Sequence, residues 1–151
     1  MVGPAILREV RLTLPMAPDM EIAASKTATA LAEFMRMTAD KIDEVRMAVV
    51  EACINAIEHS QAPDRKVYLT FEVLGEDQPE ILRITVRDEG VGFVPDDVEE
   101  PSIERKLTAA RKRGWGLKII RGLMDDVDIV SGRDGTSIVM TKRVADEAGE
   151  R

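Results

Sequence analysis

Grouped strands and helices along this chain predict an α+β fold, a two-layer arrangement with an antiparallel or mixed sheet covered by helices on one face. Three observations carry that expectation. Apolar and polar residues alternate over several short stretches, and longer stretches place apolar residues at helical spacing. The elements then follow one another as β, α, α, β, β, long loop, α, β, β, without internal repeats or low-complexity tracts.

Each element has its own signal. Over Ile6–Pro15, Val10, Leu12 and Leu14 alternate with Arg11 and Thr13, which predicts a strand. Asp19–Met37 carries Ala24, Ala28, Leu31 and Met35 at i, i+4, i+7 and i+11, which predicts a helix. A second helix is expected to start near Thr38–Asp40, where a hydroxyl cap precedes Asp43 and Glu44. It should run to about His59–Ser60, where Gln61-Ala62-Pro63 stops it. Being apolar nearly all round, it reads as a buried helix. Val67, Leu69, Phe71 and Val73 alternate in the next strand, and a turn at Gly75–Pro79 leads into another, Glu80–Asp88. Gly90–Gly114 has no clear period and is acidic early and basic late. Leu117–Met124 reads as a short helix, and Val127–Ser131 with Thr136–Val144 as a hairpin across Gly132–Gly135. Ala145–Arg151 reads as a frayed tail.

Composition narrows the function. The 151 residues fall within the ~100–200 of one domain, so one domain over residues 1–151 is expected, with a core over about 6–144. Cys53 is the only cysteine and His59 the only histidine, which excludes a disulfide framework and clusters of Cys or His ligands. Aromatics are only Phe34, Tyr68, Phe71, Phe93 and Trp115, too few for a base-stacking platform. The formal charge of 21 − 28 = −7 argues against nucleic acid or an anionic membrane as partner. The first residues lack a basic segment followed by an apolar one, and no run approaches ~18 apolar residues, so a soluble cytoplasmic protein is expected.

Three places break their local pattern. Glu51, Asn55 and Glu58 sit at i, i+4 and i+7 on the second helix and share one stripe. That stripe fits the solvent edge of an amphipathic helix. It equally fits a site where the Asn55 amide ligates a hard cation and Glu51 accepts a proton. Next, Asp88 is in phase with Leu82, Ile84 and Val86, so a carboxylate falls on the apolar face of its strand, and Gly90 and Gly92 follow it. Last, Arg111-Lys112-Arg113 precede Gly114-Trp115-Gly116-Leu117, where cations meet a helix start suited to an anion or to a solvated basic loop. Thr136 is a fainter point, in phase with Ile138 and Met140. Taken together, these places fit a Mg-nucleotide between a helix and a sheet, with Gly90–Gly114 as a lid.

The stretches Glu51-Ala-Cys-Ile-Asn55, Asp88-Glu-Gly90-Val-Gly92, Gly114-Trp-Gly116-Leu117 and Gly135-Thr136 resemble the successive motifs of the GHKL ATP-binding superfamily. EVRMAVVEACINAIEHS and GLKIIRGLMDDVDIV are similar to its anti-sigma-factor serine/threonine kinases, the SpoIIAB- and RsbW-like regulators of sporulation and general stress. The likeness covers about Ile6 to Val144. It implies a Bergerat-type two-layer α/β sandwich, with a mixed, mostly antiparallel sheet, that binds ATP and Mg²⁺. Asn55 would ligate Mg²⁺, and Glu51 would be the general base. Asp88 would accept from the adenine amine, with Thr136 supporting the ring. Gly90, Gly92 and Phe93 would line the nucleotide. Gly114, Gly116 and Leu117 would hold phosphate, and Lys112 or Arg113 would supply charge from an ATP lid over about residues 93–114.

The implied activity is transfer of a phosphoryl group to a serine of a STAS-type anti-anti-sigma protein, with a sigma factor as the second partner and a homodimer as the common assembly. Two alternatives are a nucleotide-sensing module that sequesters a partner with little kinase activity, and a switch kinase acting on another STAS-domain antagonist. Retention of Glu51 favours catalysis, since a pure sensor needs Asn55 and Asp88 but no base. A sensor histidine kinase fragment is disfavoured, because His59 ends the site helix instead of standing on a preceding hairpin, where its reading is a helix-end residue near the C-terminal dipole. The sequence departs from the resemblance at Trp115, bulky between the two glycines, and at Ala24-Ser25-Lys26, where several relatives carry an arginine on the sigma-binding surface.

Overall fold

The computed structural model describes residues 4–90 and 115–146. In chain order the elements are β1 (Ala5–Pro15), α1 (Met20–Phe34), α2 (Ala39–His59), β2 (Lys66–Gly75), β3 (Pro79–Asp88), a helical stretch over 115–123 (α3), β4 (Asp126–Gly132) and β5 (Gly135–Arg143). The strands form one sheet in the order β1-β2-β3-β5-β4. All four pairings are antiparallel, so the described strands contain no parallel pair and the mixed sheet of the sequence reading is corrected. The reason is topological. β2 returns antiparallel to β1 after α1 and α2, whereas β4 runs in the same sense as β3 but two places away, with β5 between them and antiparallel to both.

One face of this sheet makes the core. Val67, Leu69, Phe71 and Val73 of β2, with Leu82, Ile84 and Val86 of β3, are all buried, and the intervening residues are mostly half-buried. The helices cover that face. α1 presents Ala24, Ser25, Ala28 and Ala32, a stripe of small residues that lets it lie close against α2. The second helix is not buried all round. Its buried stripe is Val45, Ala48, Val49, Ala52, Cys53, Asn55 and Ala56, whereas Met47 is 45% exposed. Tertiary packing has used one face and left the other apolar positions at the surface.

The start of α2 is where the sequence places it. Thr38 is the N-cap, and its hydroxyl accepts from the Lys41 N–H at 3.3 Å. α1 ends earlier than expected, at Phe34 rather than Met37. Arg36 adopts φ 63°, its N–H donates to the Glu33 carbonyl, and the Met37 N–H donates to the Ala32 carbonyl at 3.1 Å. This is a Schellman cap built without the usual glycine, with Met37 and Ala32 both buried beside it.

Candidate functional site

The site is built on the last three turns of α2. Asn55 lies in the buried stripe and is 5% exposed, yet neither its Oδ1 nor its Nδ2 has a hydrogen-bond partner among the described residues. A buried amide left without partners costs about 1–3 kcal/mol, so this position is held for something other than stability. One turn back on the same helix, Glu51 is half-buried. A Cβ built on Gly116 would stand 3.3 Å from Glu51 Oε2, which puts the backbone of α3 directly against this carboxylate. Leu117, the next residue, is buried in the core and anchors that turn. At the other end of α3, Lys142 Nζ donates to the Leu123 carbonyl at 2.6 Å and pairs with Glu44 Oε1 at 3.0 Å, tying α3 to α2 through a buried ammonium. Glu58, the third member of the stripe, is exposed and takes no part.

The opposite end of the site lies where α2 stops. Ser60, its C-cap residue, donates from Oγ to Asp88 Oδ1 at 2.9 Å. The Gly90 N–H donates to the same oxygen at 3.0 Å. Asp88 ends β3 on the core face and is 4% exposed, as its phase with Leu82, Ile84 and Val86 requires. Thr136 is its cross-strand neighbour on β5. The Thr136 hydroxyl shares a 2.9 Å hydrogen bond with Ser131 on β4. The close approach of these strand ends depends on Gly135, which has φ 126° and would place a Cβ 2.0 Å from the Asp88 carbonyl oxygen. At ~1.5 Å per residue, Asn55 lies about 6 Å and Ser60 about 13 Å from Glu51 along the helix axis. The result is an elongated site, with a hydroxyl and carboxylate cluster at one end, an unpaired amide in the middle and a carboxylate against a glycine backbone at the other.

Residues 14–142 match the family described as the histidine kinase-like ATPase domain. The chain belongs to this family. Several proteins similar to it are named anti-sigma F factors. The chain is 34% identical over 141 residues to the anti-sigma F factor of Oceanobacillus iheyensis, spanning 91% of this chain and 93% of that one. It is 31% identical over 140 residues to the anti-sigma F factor of Geobacillus kaustophilus, with the same coverage. Among solved structures, the RsbU and RsbW domains of a Mycobacterium tuberculosis protein match at a TM-score of 0.68 over 93% of this chain. At 19% identity that likeness shows the shared fold, and this chain spans 34% of that longer one. The SpoIIAB- and RsbW-like membership expected from the motifs therefore holds.

For a histidine kinase-like ATPase domain, the residues singled out in the sequence divide into two sets. Glu51, Asn55, Asp88, Gly90, Gly116, Leu117 and Thr136 fall on the elements just described. Gly92, Phe93, Lys112, Arg113 and Gly114, with the lid over about 93–114 and most of the tail, lie outside the described residues. Ser60 and Ser131 break no local sequence pattern, although both touch the carboxylate and hydroxyl end. Ser60 carried a usable signal, since a serine at a helix end beside an in-phase buried aspartate supplies the donor that Asp88 needs. Among the described residues, no helix is long and apolar enough to cross a membrane.

Cys53, between Glu51 and Asn55, belongs to the core cluster and is fully buried. Burial, and secondarily the charge of Glu21, push its thiol up to about 12 from 9.0. The folded protein is therefore expected to leave Cys53 unmodified by a disulfide reagent at pH 8, and to react one thiol per chain once denatured. The contribution of the protonated thiol to stability is full below pH 9 and is lost as pH rises towards 12, because the unfolded thiol ionises first. Rapid labelling of the native protein at pH 8 would contradict this burial.

Proposed function

We propose that this protein is an anti-sigma factor and serine protein kinase. It would transfer the terminal phosphoryl group of Mg-ATP to a serine of a STAS-type anti-anti-sigma protein and so regulate a sigma factor in bacterial transcription. The observation that carries this reading is the buried Asn55 amide without partners, placed one turn from Glu51. An amide oxygen is a hard ligand suited to Mg²⁺. Asn55 would offer its amide oxygen as one ligand to the cation of Mg-ATP. When bound, Mg-ATP supplies the phosphoryl group and the neutralisation of its charge.

The chain's own residues do the rest by positioning. Asp88 accepts from the adenine amine and Thr136 supports the ring edge. Asn55 holds the cation, while Gly116 and Leu117 offer backbone N–H groups to phosphate oxygens. Glu51 takes the proton from the substrate serine hydroxyl as its oxygen bonds to phosphorus and the bond to the departing ADP breaks. Gly92, Phe93, Lys112, Arg113 and Gly114 are assigned nucleotide and lid contacts on the sequence resemblance. The relatives' names, anti-sigma F factor, support the sigma-factor partner. The proposal places the protein in the cytoplasm, as a homodimer and a single domain.

The direct test incubates the protein with a STAS-type antagonist and radiolabelled Mg-ATP. Label on one serine of the antagonist is the expected result. A stable complex with a sigma factor in Mg-ADP, with no label transferred under any nucleotide condition, would instead leave a sequestering module. Trp115 provides a second readout, because it is 63% exposed, has the Lys118 ammonium 5.5 Å over its ring, and adjoins Gly116. Saturating Mg-ATP is expected to change its emission. A spectrum indifferent to nucleotide counts against phosphate binding at this helix start.

A further inference from the structure

The carboxylate that ends β3 does not orient itself. Asp88 is almost fully buried, and both described donors, the Ser60 hydroxyl and the Gly90 N–H, converge on its Oδ1. Ser60 is itself fixed. It is 5% exposed, its backbone N–H donates to the Ala56 carbonyl at 3.0 Å, and its Oγ accepts from the Ala62 N–H at 3.2 Å. With the Ala62 N–H occupying one lone pair, the single hydroxyl proton goes to the acceptor within reach, Asp88 Oδ1. Space enforces the same geometry. A Cβ built on Gly90 would stand 2.3 Å from Ser60 Oγ and 3.0 Å from the backbone nitrogens of Gln61 and Ala62, so the loop after β3 is pressed onto the helix end.

We propose that Ser60 is a positioning residue for nucleobase selection: by engaging Oδ1 of Asp88 together with the Gly90 N–H, it turns Oδ2 towards the ligand as an acceptor. The proposal rests on the reading that Asp88 accepts from the adenine 6-amino group. A carboxylate with one oxygen saturated by two fixed donors presents a single acceptor in one direction, which pairs with an exocyclic amine and opposes a 6-oxo group. Ser60 touches no ligand and acts through Asp88. It also joins the C-terminus of α2, which carries Asn55 five residues earlier, to the base-reading end. One hydrogen bond therefore sets the base's position relative to the helix that carries the amide.

The test compares binding of ATP and of inosine triphosphate, which has oxygen in place of the 6-amino group, by calorimetry on the full chain with Mg²⁺. Ser60→Ala is expected to weaken ATP by about tenfold, the scale of one hydrogen bond to a charged group, and to leave inosine triphosphate nearly unchanged, so the preference collapses. Ser60→Thr, which keeps the hydroxyl, should restore the preference. Ser60→Cys, with a weaker donor and similar volume, should fall between and serves if Ser60→Ala does not fold. A purely structural serine would lower the melting temperature and weaken both nucleotides by one factor. An unchanged preference in a folded Ser60→Ala or Ser60→Cys variant overturns the proposal. Failure of the underlying reading looks different: Asp88→Asn would then bind ATP as the parent does, whatever Ser60 variants do.

Discussion

Replacing Asn55 by alanine is expected to lower Mg-dependent ATP affinity by about 10–100-fold, the loss of one contact to a charged group. The same replacement should leave the ligand-free protein as stable as the parent, or up to ~1 kcal/mol more stable. The two halves of this result come from one observation. Both polar atoms of the Asn55 side chain are buried without partners among the described residues, so the amide costs stability in the free protein. Alanine removes that cost and leaves a small cavity, and the two effects oppose each other. Calorimetry with Mg²⁺ and with a chelator gives the first number, and denaturant melts without nucleotide give the second. A further sign is loss of the rise in melting temperature that ATP confers on the parent. A variant clearly less stable than the parent but binding Mg-ATP as well would make Asn55 a structural residue and remove the cation from this position.

Glu51→Gln is the second large effect. It preserves shape and the packing against Gly116, whose backbone faces Glu51 Oε2, while removing the proton acceptor. Transfer to the substrate serine should fall by about 10²–10⁴-fold, the usual contribution of a positioned base. ATP affinity should stay within about twofold, because no uniform binding contact is lost. Initial rates of serine labelling at saturating ATP, beside calorimetry on the same preparation, separate these quantities. Equal labelling by the variant and the parent would take Glu51 out of the chemistry. A parallel loss of both rate and affinity would make it a nucleotide ligand instead of a base.

Much of this architecture is legible from period and phase. Alternation in β2 and β3 predicts which residues are buried, and it puts Asp88 on the core face before any coordinates are known. The Thr38 cap is read from its hydroxyl and the acids that follow. What escapes such reading has physical causes. The end of α1 is set by Arg36 in the left-handed region, a position glycine would have advertised and arginine does not. The order β1-β2-β3-β5-β4 is fixed by long-range pairing, to which local periodicity is blind. Lys142 is in phase with Ile138 and Met140, but only a tertiary partner, Glu44, makes its burial tolerable. At the site, Asn55 and Glu51 are visible as a stripe. The sequence does not distinguish them from Glu58, because exposure is decided by what packs opposite. Ser60 at the helix end hints at a donor, but its pairing with Asp88 spans 28 positions of chain, so local pattern alone does not name its acceptor.

The insertion of β5 between β3 and β4 has a consequence for how the protein is made. β3 gains its second neighbour only from the strand that follows β4, and the Asp88–Thr136 pair lies on that seam. β4 and β5 are joined by a two-residue turn and form a local hairpin that can assemble quickly, whereas β1 must find β2 across more than forty intervening positions. During synthesis the growing chain therefore exposes an unpaired β3 edge until Gly135–Arg143 has left the ribosome. The Asp88–Thr136 end of the proposed site is therefore complete only once β5 has paired with β3, and a chain that stops short of β5 lacks that end.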